Sequence, residues 1–310
     1  FGKPEAVGTI YHGTLKSGTA TALITPAMVP TGLRIPATTT ATFSRNGTAL
    51  QFTMSPPAPD TIPADSLNGK ARFDLWHWKD PQLQPAQLLS AGRDRTKSYQ
   101  TIFHLGPAPK ATRTVKGRDT MMTLVGDKRL VKLADDTVSG VQLSDDAKVG
   151  VATSSVRYDI EKMWGAGGND IYVVDPITGI RKQIATQVQT GGQLSPDAKY
   201  AYYFDRGNWY AYQLATNTLL NVTAQVKGVR FGQETWSTPD EPAAWGVAGW
   251  TKGDKSVLVY DRFDVWELDP TGAKAPVMVT DSVGRRERTA FRIVDLNRDR
   301  EEDRFIDPSK

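Results

Sequence analysis

The sequence of 310 residues contains no cysteine and only three histidines, His12, His77 and His104. The absence of cysteine excludes disulfides, thiolate metal sites and cysteine nucleophiles, and it is compatible with any redox compartment. No apolar run reaches the roughly 18 residues that a membrane-spanning helix needs, so no membrane span is predicted. The chain opens with Phe1 and shows no signal peptide, and we expect a processed protein or an excised fragment.

Strong charge of one sign is also missing. The net charge is +4 and the pI is about 9.1, and basic residues alternate with acidic ones in stretches such as 284–288 and 298–304. This mixture is typical of a solvated surface. Nucleic-acid binding would require a basic patch or a recognised module, and the sequence has neither, so no nucleic-acid partner is predicted.

Reactive motifs are absent or incomplete. No Gly-x-Ser-x-Gly nucleophile elbow occurs in the sequence. Residues 295–299 begin like a calcium loop, but Arg300 stands where the loop needs Gly and Ile306 where it needs a bidentate Glu. The glycine-rich run 165–168 lacks the Lys-Ser/Thr of a phosphate-binding loop. We therefore predict no catalytic residue, no metal and no cofactor.

The sequence does contain a repeated turn. Residues 194–199 and 250–255 align at an offset of 56, and an Asp-Arg pair follows ten residues after the hydroxyl in both copies. The hydroxyl residues of the motif are Ser44, Ser144, Ser195 and Thr251. Their spacing indicates a period near about fifty residues, typical of repeat folds, with a degenerate copy expected near residue 95 that includes 98–103. Ser, Asp and Gly in this order predict a hairpin turn.

Strand-forming segments follow the turns. First strands are predicted at 200–204 and 256–260, second strands at 74–78, 170–175, 209–214 and 264–269, and short last strands at 183–185 and 277–279. The segment 157–168 is interpreted as an insertion between two strands, and His77 as a structural residue between two tryptophans. Four short antiparallel strands in about fifty residues are the size of a propeller blade. The predicted fold class is therefore all-β, a β-propeller of four-stranded antiparallel blades.

The predicted organisation has two parts. Residues 1–36 form an N-terminal strand segment or part of an incomplete blade, and residues 37–310 form the blades. Turn motifs near 44, 95, 144, 195 and 251, with a last partial blade from 289, give five or six units.

Several motifs resemble the amino-terminal propeller of large bacterial peptidases of the prolyl oligopeptidase class, the S9 serine peptidases. The most specific is the Trp-His-Trp-Lys-Asp-Pro run within residues 73–85. Further similar segments are 194–200, 208–212, 238–242, 246–251, 260–266 and 305–308. The resemblance covers roughly residues 37–310.

The resemblance implies a seven- or eight-bladed propeller that caps a carboxy-terminal α/β-hydrolase domain carrying the catalytic triad. The implied partners are that domain and short or unstructured peptide substrates, and the implied location is the periplasm or the exterior of the cell. The catalytic domain is not in this sequence, so the chain alone is expected to be inactive.

Four residues are weak candidates for substrate binding. Arg206 and Arg262 could hold a peptide carboxylate or carbonyl, although Asp-Arg pairs could equally cap turns and bridge blades. Glu301 and Glu302 could hold a substrate amine, or belong to a solvated charge run. The exposed aromatics Trp164, Trp236 and Trp245 could line a channel or pack between blades.

Two other functions remain open. One is a stand-alone periplasmic scaffold or binding propeller for a protein or a glycan. The other is a hydrolase that uses a pair of carboxylates carried by the propeller itself.

Overall fold

The computed structural model describes residues 7–14, 18–57, 64–70, 75–106, 129–234, 237, 241–294 and 304–307. Its strands are β1 (Ile10–Gly13), β2 (Ala20–Ile24), β3 (Thr42–Phe43), β4 (Ala49–Met54), β5 (Tyr99–His104), β6 (Leu130–Lys132), β7 (Val141–Leu143), β8 (Gly150–Ser154), β9 (Asn169–Val174), β10 (Arg181–Val188), β11 (Gln193–Leu194), β12 (Tyr200–Asp205), β13 (Asn208–Gln213), β14 (Thr218–Asn221), β15 (Val247–Thr251), β16 (Val257–Tyr260), β17 (Val265–Leu268), β18 (Val277–Met278) and β19 (Phe305–Ile306). The helices are α1 (Gln84–Arg95), α2 (Asp159–Lys162) and α3 (Val283–Glu287), with 3-10 turns at Pro26–Met28, Ala64–Leu67 and Val156–Tyr158.

Sixteen of these strands form four sheets in chain order. The first sheet is β3 to β6, the second β7 to β10, the third β11 to β14 and the fourth β15 to β18, and these strands pair antiparallel. The fourth sheet also carries β19 as a fifth strand, parallel to β15. The hairpin β1–β2 stands before them. The prediction of a mainly β fold built from four-stranded antiparallel units is therefore confirmed.

Consecutive sheets pack face to face. One apolar cluster joins Ile24 and Ile35 to the first sheet, and separate clusters join the first sheet to the second, the second to the third, and the third to the fourth. The last of these contains a stack of Tyr200 on Trp250, with ring centroids 5.7 Å apart. None of the five clusters of described residues joins the first sheet to the fourth. This sequential stacking is the packing that propeller blades use.

The repeated motif forms a turn, as predicted, and this turn lies between the first and second strands of each sheet. The strands at 200–204 and 256–260, predicted to come first in their units, are therefore second strands. Each motif hydroxyl accepts a hydrogen bond from the backbone N–H five residues later, at 3.0 Å for Ser44, 3.2 Å for Ser144, 3.0 Å for Ser195 and 3.0 Å for Thr251. The hydroxyl therefore satisfies a donor that the tight turn would leave without a partner.

The segment 98–103 is not a further copy of the turn. Tyr99–His104 is instead β5, the third strand of the first sheet, and it pairs with β4 along its whole length. The interval of one hundred residues between Ser44 and Ser144 thus holds one sheet with two long insertions, and α1 lies in the first insertion. The prediction of a blade near residue 95 was wrong because aromatic and β-branched residues indicate a strand but not its rank in a sheet.

Two other predicted strand regions differ. Residues 75–80 form a turn in which Asp80 accepts the His77 N–H at 2.8 Å, and Asp74 lies outside the described residues. That hydrogen bond from His77 lowers the pKa of the Asp80 carboxyl. No strand occurs at 289–294, and β19 instead lies parallel to β15. The predicted insertion at 157–168 is confirmed between β8 and β9.

A buried ion pair connects the first two sheets. Arg181 on β10 contacts Asp135 at 2.9 Å and donates to the Leu133 carbonyl at 2.6 Å, and the Arg181 side chain is only 8% exposed. Asp135 also accepts hydrogen bonds from the Thr137 hydroxyl and backbone. Burial acts to raise the pKa of the Asp135 carboxyl, but the Thr137 hydrogen bonds and the Arg181 charge outweigh it and lower this pKa.

A second buried carboxylate connects the third and fourth sheets. In the first two turns the hydroxyl donates to the residue two positions later, Asn46 or Asp146. In the third turn Ser195 donates instead to Asp254, which belongs to the turn of the fourth sheet. Asp254 is 1% exposed and also accepts the backbone N–H groups of Asp197 and Lys199 at 3.1 and 3.2 Å. One carboxylate therefore closes the turn of a neighbouring sheet.

Candidate functional site

A cleft of about 530 Å³ opens where the second and third sheets meet. The second sheet contributes Ser155, Lys162 and the glycine-rich run that ends at Asn169, because the insertion between β8 and β9 folds back over this edge. The third sheet contributes Asp205 and Arg206, and Glu241 completes the lining. The cleft thus brings the predicted residue Arg206 and its neighbour Asp205 together with Lys162 and Glu241, which the sequence did not indicate.

Arg206 lies in a tight hairpin turn. With Gly207 it forms the two-residue link between β12 and β13, and both residues have positive φ, 44° and 80°. Such hairpin turns favour Asn, Asp or Gly, and a left-handed conformation costs other residues roughly 1–2 kcal/mol. The exposed Arg206 guanidinium has no hydrogen-bond or ion-pair partner among the described residues. The hairpin therefore holds an available cation at the cleft.

The other charged groups of the cleft are occupied. Lys162 pairs with Asp159 at 3.2 Å, and Asp205 accepts the Gln189 backbone N–H at 2.9 Å. The Gln189 amide donates to the carbonyls of Glu241 and Pro242, both at 2.8 Å. These bonds connect the second sheet, the third sheet and the segment before β15, so the wall beside Arg206 is fixed.

A tyrosine anchors the insertion that forms one rim. Tyr158 donates to the buried carboxylate of Asp170 at 2.6 Å. Burial, reinforced by the hydrogen bond to Asp170, raises the pKa of Tyr158 to about 12. The phenol is therefore neutral at physiological pH and holds the insertion against β9.

The second Asp-Arg pair is arranged differently. Arg262 pairs with Glu234 at 3.3 Å and lies over the Phe263 ring. Asp261 is 1% exposed, caps its turn through the Phe263 and Asp264 N–H groups at 2.7 Å, and contacts Arg285 at 2.7 Å. In this hairpin both residues have partners within the protein, as a structural role requires. A role for Arg262 in substrate binding stays a prediction.

The remaining candidates are dispersed. Glu301, Glu302 and Trp236 lie outside the described residues. Trp164 is 84% exposed, and Arg292 covers the Trp245 ring.

The three histidines lie in different surroundings within the described ranges. His12 lies beside Phe43, His77 is in an exposed turn, and His104 contacts the Pro176 carbonyl at 3.0 Å. The described residues hold no group of three His, Asp or Glu side chains that could bind a metal. The described helices are all too short or too polar to cross a bilayer.

The sequence missed Lys162, Gln189 and Glu241 as neighbours of Arg206. The signal that could have indicated the cleft is the glycine-rich run 165–168, which ends an insertion one sheet before the Asp205-Arg206 hairpin. Glycine permits the close approach of the backbone there, because a Cβ on Gly168 would lie 2.7 Å from the Gln187 side chain.

No protein-family model and no curated protein matches this sequence. Among solved structures, the chain is similar to TolB from Acinetobacter baumannii with 12% identity and a TM-score of 0.31, covering 77% of this chain and 42% of that one. It is similar to Porphyromonas gingivalis dipeptidyl peptidase 4 with 11% identity and a TM-score of 0.39, covering 87% and 36%. The β-propeller domain of the Trilobed protease from Pyrococcus furiosus gives 10% identity and a TM-score of 0.28, covering 79% and 73%. The chain thus spans less than half the length of the first two proteins.

Proposed function

We propose that this chain is the noncatalytic propeller of a serine peptidase of the prolyl oligopeptidase class. It caps a separate α/β-hydrolase domain and restricts access to short or unstructured peptides. The observation that carries this proposal is the available guanidinium of Arg206, held at a polar cleft between two blades. The motifs around residues 76–81 support the peptidase class.

The chemistry of the cleft suits a peptide. A guanidinium presents donors in a planar fork that matches a carboxylate, and it can also donate to backbone carbonyls. The β12–β13 pairing holds the Arg206 backbone in its left-handed turn. The chain binds and selects, and bond cleavage is assigned to the partner domain, with a periplasmic or secreted location expected from the resemblance.

The peptidase assignment is tested on the natural gene and its product. Sequencing past the codon for Lys310 is expected to show a Gly-x-Ser-x-Gly elbow followed by Asp and His codons. A fluorophosphonate probe is expected to label one serine of the full gene product and none in the chain of 310 residues. A stop codon soon after Lys310 would contradict the proposal and favour a stand-alone binding propeller.

Arg206 provides a second test in the full gene product. Arg206→Ala is expected to raise KM for a short peptide about tenfold with kcat unchanged, because a charge-assisted hydrogen bond made equally in the ground and transition states is lost. Arg45→Ala is the matched control, since it removes an exposed arginine that pairs with Asp145 at 3.2 Å and should leave KM within about twofold. Equal effects of both substitutions would sink the specific role of Arg206.

A further inference from the structure

The fourth sheet differs from the other three at its first strand. The first strands of the other sheets, β3, β7 and β11, have two or three residues, and each lies at a sheet edge among the described strands. The strand β15 has five residues, and β19 pairs parallel with it, with Phe305 opposite Trp250 and Ile306 opposite Thr251. An extended segment is therefore added to the side of Val247–Thr251 that faces away from β16, named here the β15 edge.

Ile306 is seated on apolar side chains at the β15 edge. It packs against the cluster formed by Leu258, Tyr260 and Val265. Gly249 leaves the space for this contact, because a Cβ on Gly249 would lie only 2.8 Å from the Ile306 Cδ1 atom. This position of the added strand therefore fits an aliphatic side chain that lies directly on the sheet.

A charged contact holds the residue at the start of the segment. Arg304 Nη1 contacts Asp145 Oδ2 at 2.5 Å and donates to the Pro196 carbonyl at 3.5 Å, so it reaches the turns of the second and third sheets. Arg45 contacts the same Asp145 oxygen at 3.2 Å, and the three charged side chains are 37% to 52% exposed. Solvent screens such pairs, so this position favours a basic residue by a modest factor.

Few contacts hold the segment in place. It has two paired residues, one exposed ion pair and one aliphatic side chain that is partly buried. Segments with few buried contacts open locally at a small cost in free energy. When β19 opens, β15 becomes an edge strand whose N–H and C=O groups are available to another extended chain.

We propose that the β15 edge is a docking site for an extended peptide, and that residues 304–307 occupy it as an internal ligand. The peptide adds a strand parallel to β15, with an aliphatic residue in the position of Ile306, an aromatic residue in that of Phe305 and a basic residue in that of Arg304. Backbone pairing supplies the affinity and the side-chain positions supply the selectivity, as in other sites of strand addition. The segment seated on the edge identifies the chemistry of this occupant.

The docking site is separate from the Arg206 cleft. Arg304 contacts Pro196, which lies in the turn before β12, whereas Arg206 follows the last residue of β12. The two sites are thus at opposite ends of one strand. The inference therefore goes beyond the proposed function and requires neither Arg206 nor a hydrolase domain.

The test uses the chain of 310 residues with Ile306→Asp, which removes the apolar anchor of the internal segment and leaves every residue of β15 unchanged. The probe is fluorescein-labelled Arg-Phe-Ile-Asp amide, and its binding is followed by fluorescence anisotropy. The variant is expected to bind the probe saturably, and the unmodified chain at least about tenfold more weakly because its site is occupied. Val294→Asp adds the same charge at a residue that is 72% exposed, and it should behave like the unmodified chain.

Two changes distinguish strand addition from unspecific apolar binding. A probe methylated on the Phe and Ile amide nitrogens cannot donate to β15 and should not bind. In the Ile306→Asp chain, Asp145→Lys should weaken the original probe about threefold, and a probe with Glu in place of Arg should recover the loss. Asp136→Lys makes the same charge change before β7, whereas Asp145 follows β7, so it should leave the affinity unchanged.

Three results would overturn the inference. They are equal binding by the Ile306→Asp and unmodified chains, retained binding of the methylated probe, and equal effects of Asp145→Lys and Asp136→Lys. If Ile306→Asp does not fold, Arg304→Glu replaces it, because it repels Asp145 and releases the segment without changing the apolar contacts of the edge. The measurement needs no catalysis, so its failure is distinct from failure of the peptidase assignment.

Discussion

Replacing Asp254 by alanine is expected to lower the free energy of unfolding by about 3 kcal/mol. The carboxylate is buried and accepts hydrogen bonds from the Ser195 hydroxyl and from the N–H groups of Asp197 and Lys199. Alanine leaves these donors without an acceptor, and it also places a less tolerant residue at a φ of 53°. Chemical denaturation followed by tryptophan fluorescence measures the loss.

The matched control is Asp197→Ala. Asp197 occupies the motif position that closes the turn in the first two sheets, but its own carboxylate accepts no hydrogen bond from a described residue and it is exposed. The expected loss is below about 0.5 kcal/mol. Asp254→Asn keeps one acceptor oxygen and tolerates the left-handed backbone, so it should fall between the two. Equal losses for Asp197→Ala and Asp254→Ala would refute the connection between the sheets.

Arg181→Met is expected to cost about 3 kcal/mol at neutral pH, because it leaves the Asp135 carboxylate half-buried and unpaired. The apolar stem of Met replaces most of the Arg181 volume, so lost packing contributes little. Lys148→Met is the control, since it breaks an exposed pair with Asp146 at 2.9 Å and should cost less than about 0.5 kcal/mol. Urea unfolding at several pH values measures both.

The effect of Arg181→Met should depend on pH in a defined direction. In the unmodified chain the pKa of Asp135 is lower in the folded than in the unfolded state, so this carboxyl contributes stability above its unfolded pKa and loses it as the pH falls through the folded pKa. Without Arg181, the pKa of Asp135 rises relative to the unmodified chain, because one cause that lowers it is lost while burial and the Thr137 and Val138 hydrogen bonds remain. Protonation then relieves the unpaired charge, so the penalty should shrink as the pH falls to about 4 and below. A penalty that is constant between pH 7 and about pH 3 would contradict this explanation.

The strands that the sequence predicted correctly share one property. In segments such as Tyr200–Asp205 and Asn208–Gln213, aromatic residues occupy both faces, because each sheet packs between two neighbours. The regular spacing of the turn hydroxyls placed three of the four sheets. The first sheet was misread because its strands are separated by long insertions, and a period cannot be followed through an insertion of unknown length.

The contacts between sheets could not be predicted from the sequence to the same extent. In the fourth turn Gly253-Asp254 replaces the Asp-Ala of the third, which moves the carboxylate by one residue. That shift is visible in the sequence, but only the packing of the sheets shows that the carboxylate reaches Ser195. The candidate cleft likewise depends on how an insertion of the second sheet folds over the third, which local residue preferences do not determine.

The apolar clusters couple each sheet only to the sheets before and after it among the described residues. A stack of this kind behaves as a one-dimensional array whose cooperativity is set by nearest-neighbour interfaces. The second and third sheets each have two such interfaces, so they form the most strongly coupled pair of units. The Arg206 cleft lies where these two sheets meet. The free guanidinium of Arg206 is therefore held by the two sheets that local unfolding should separate least easily.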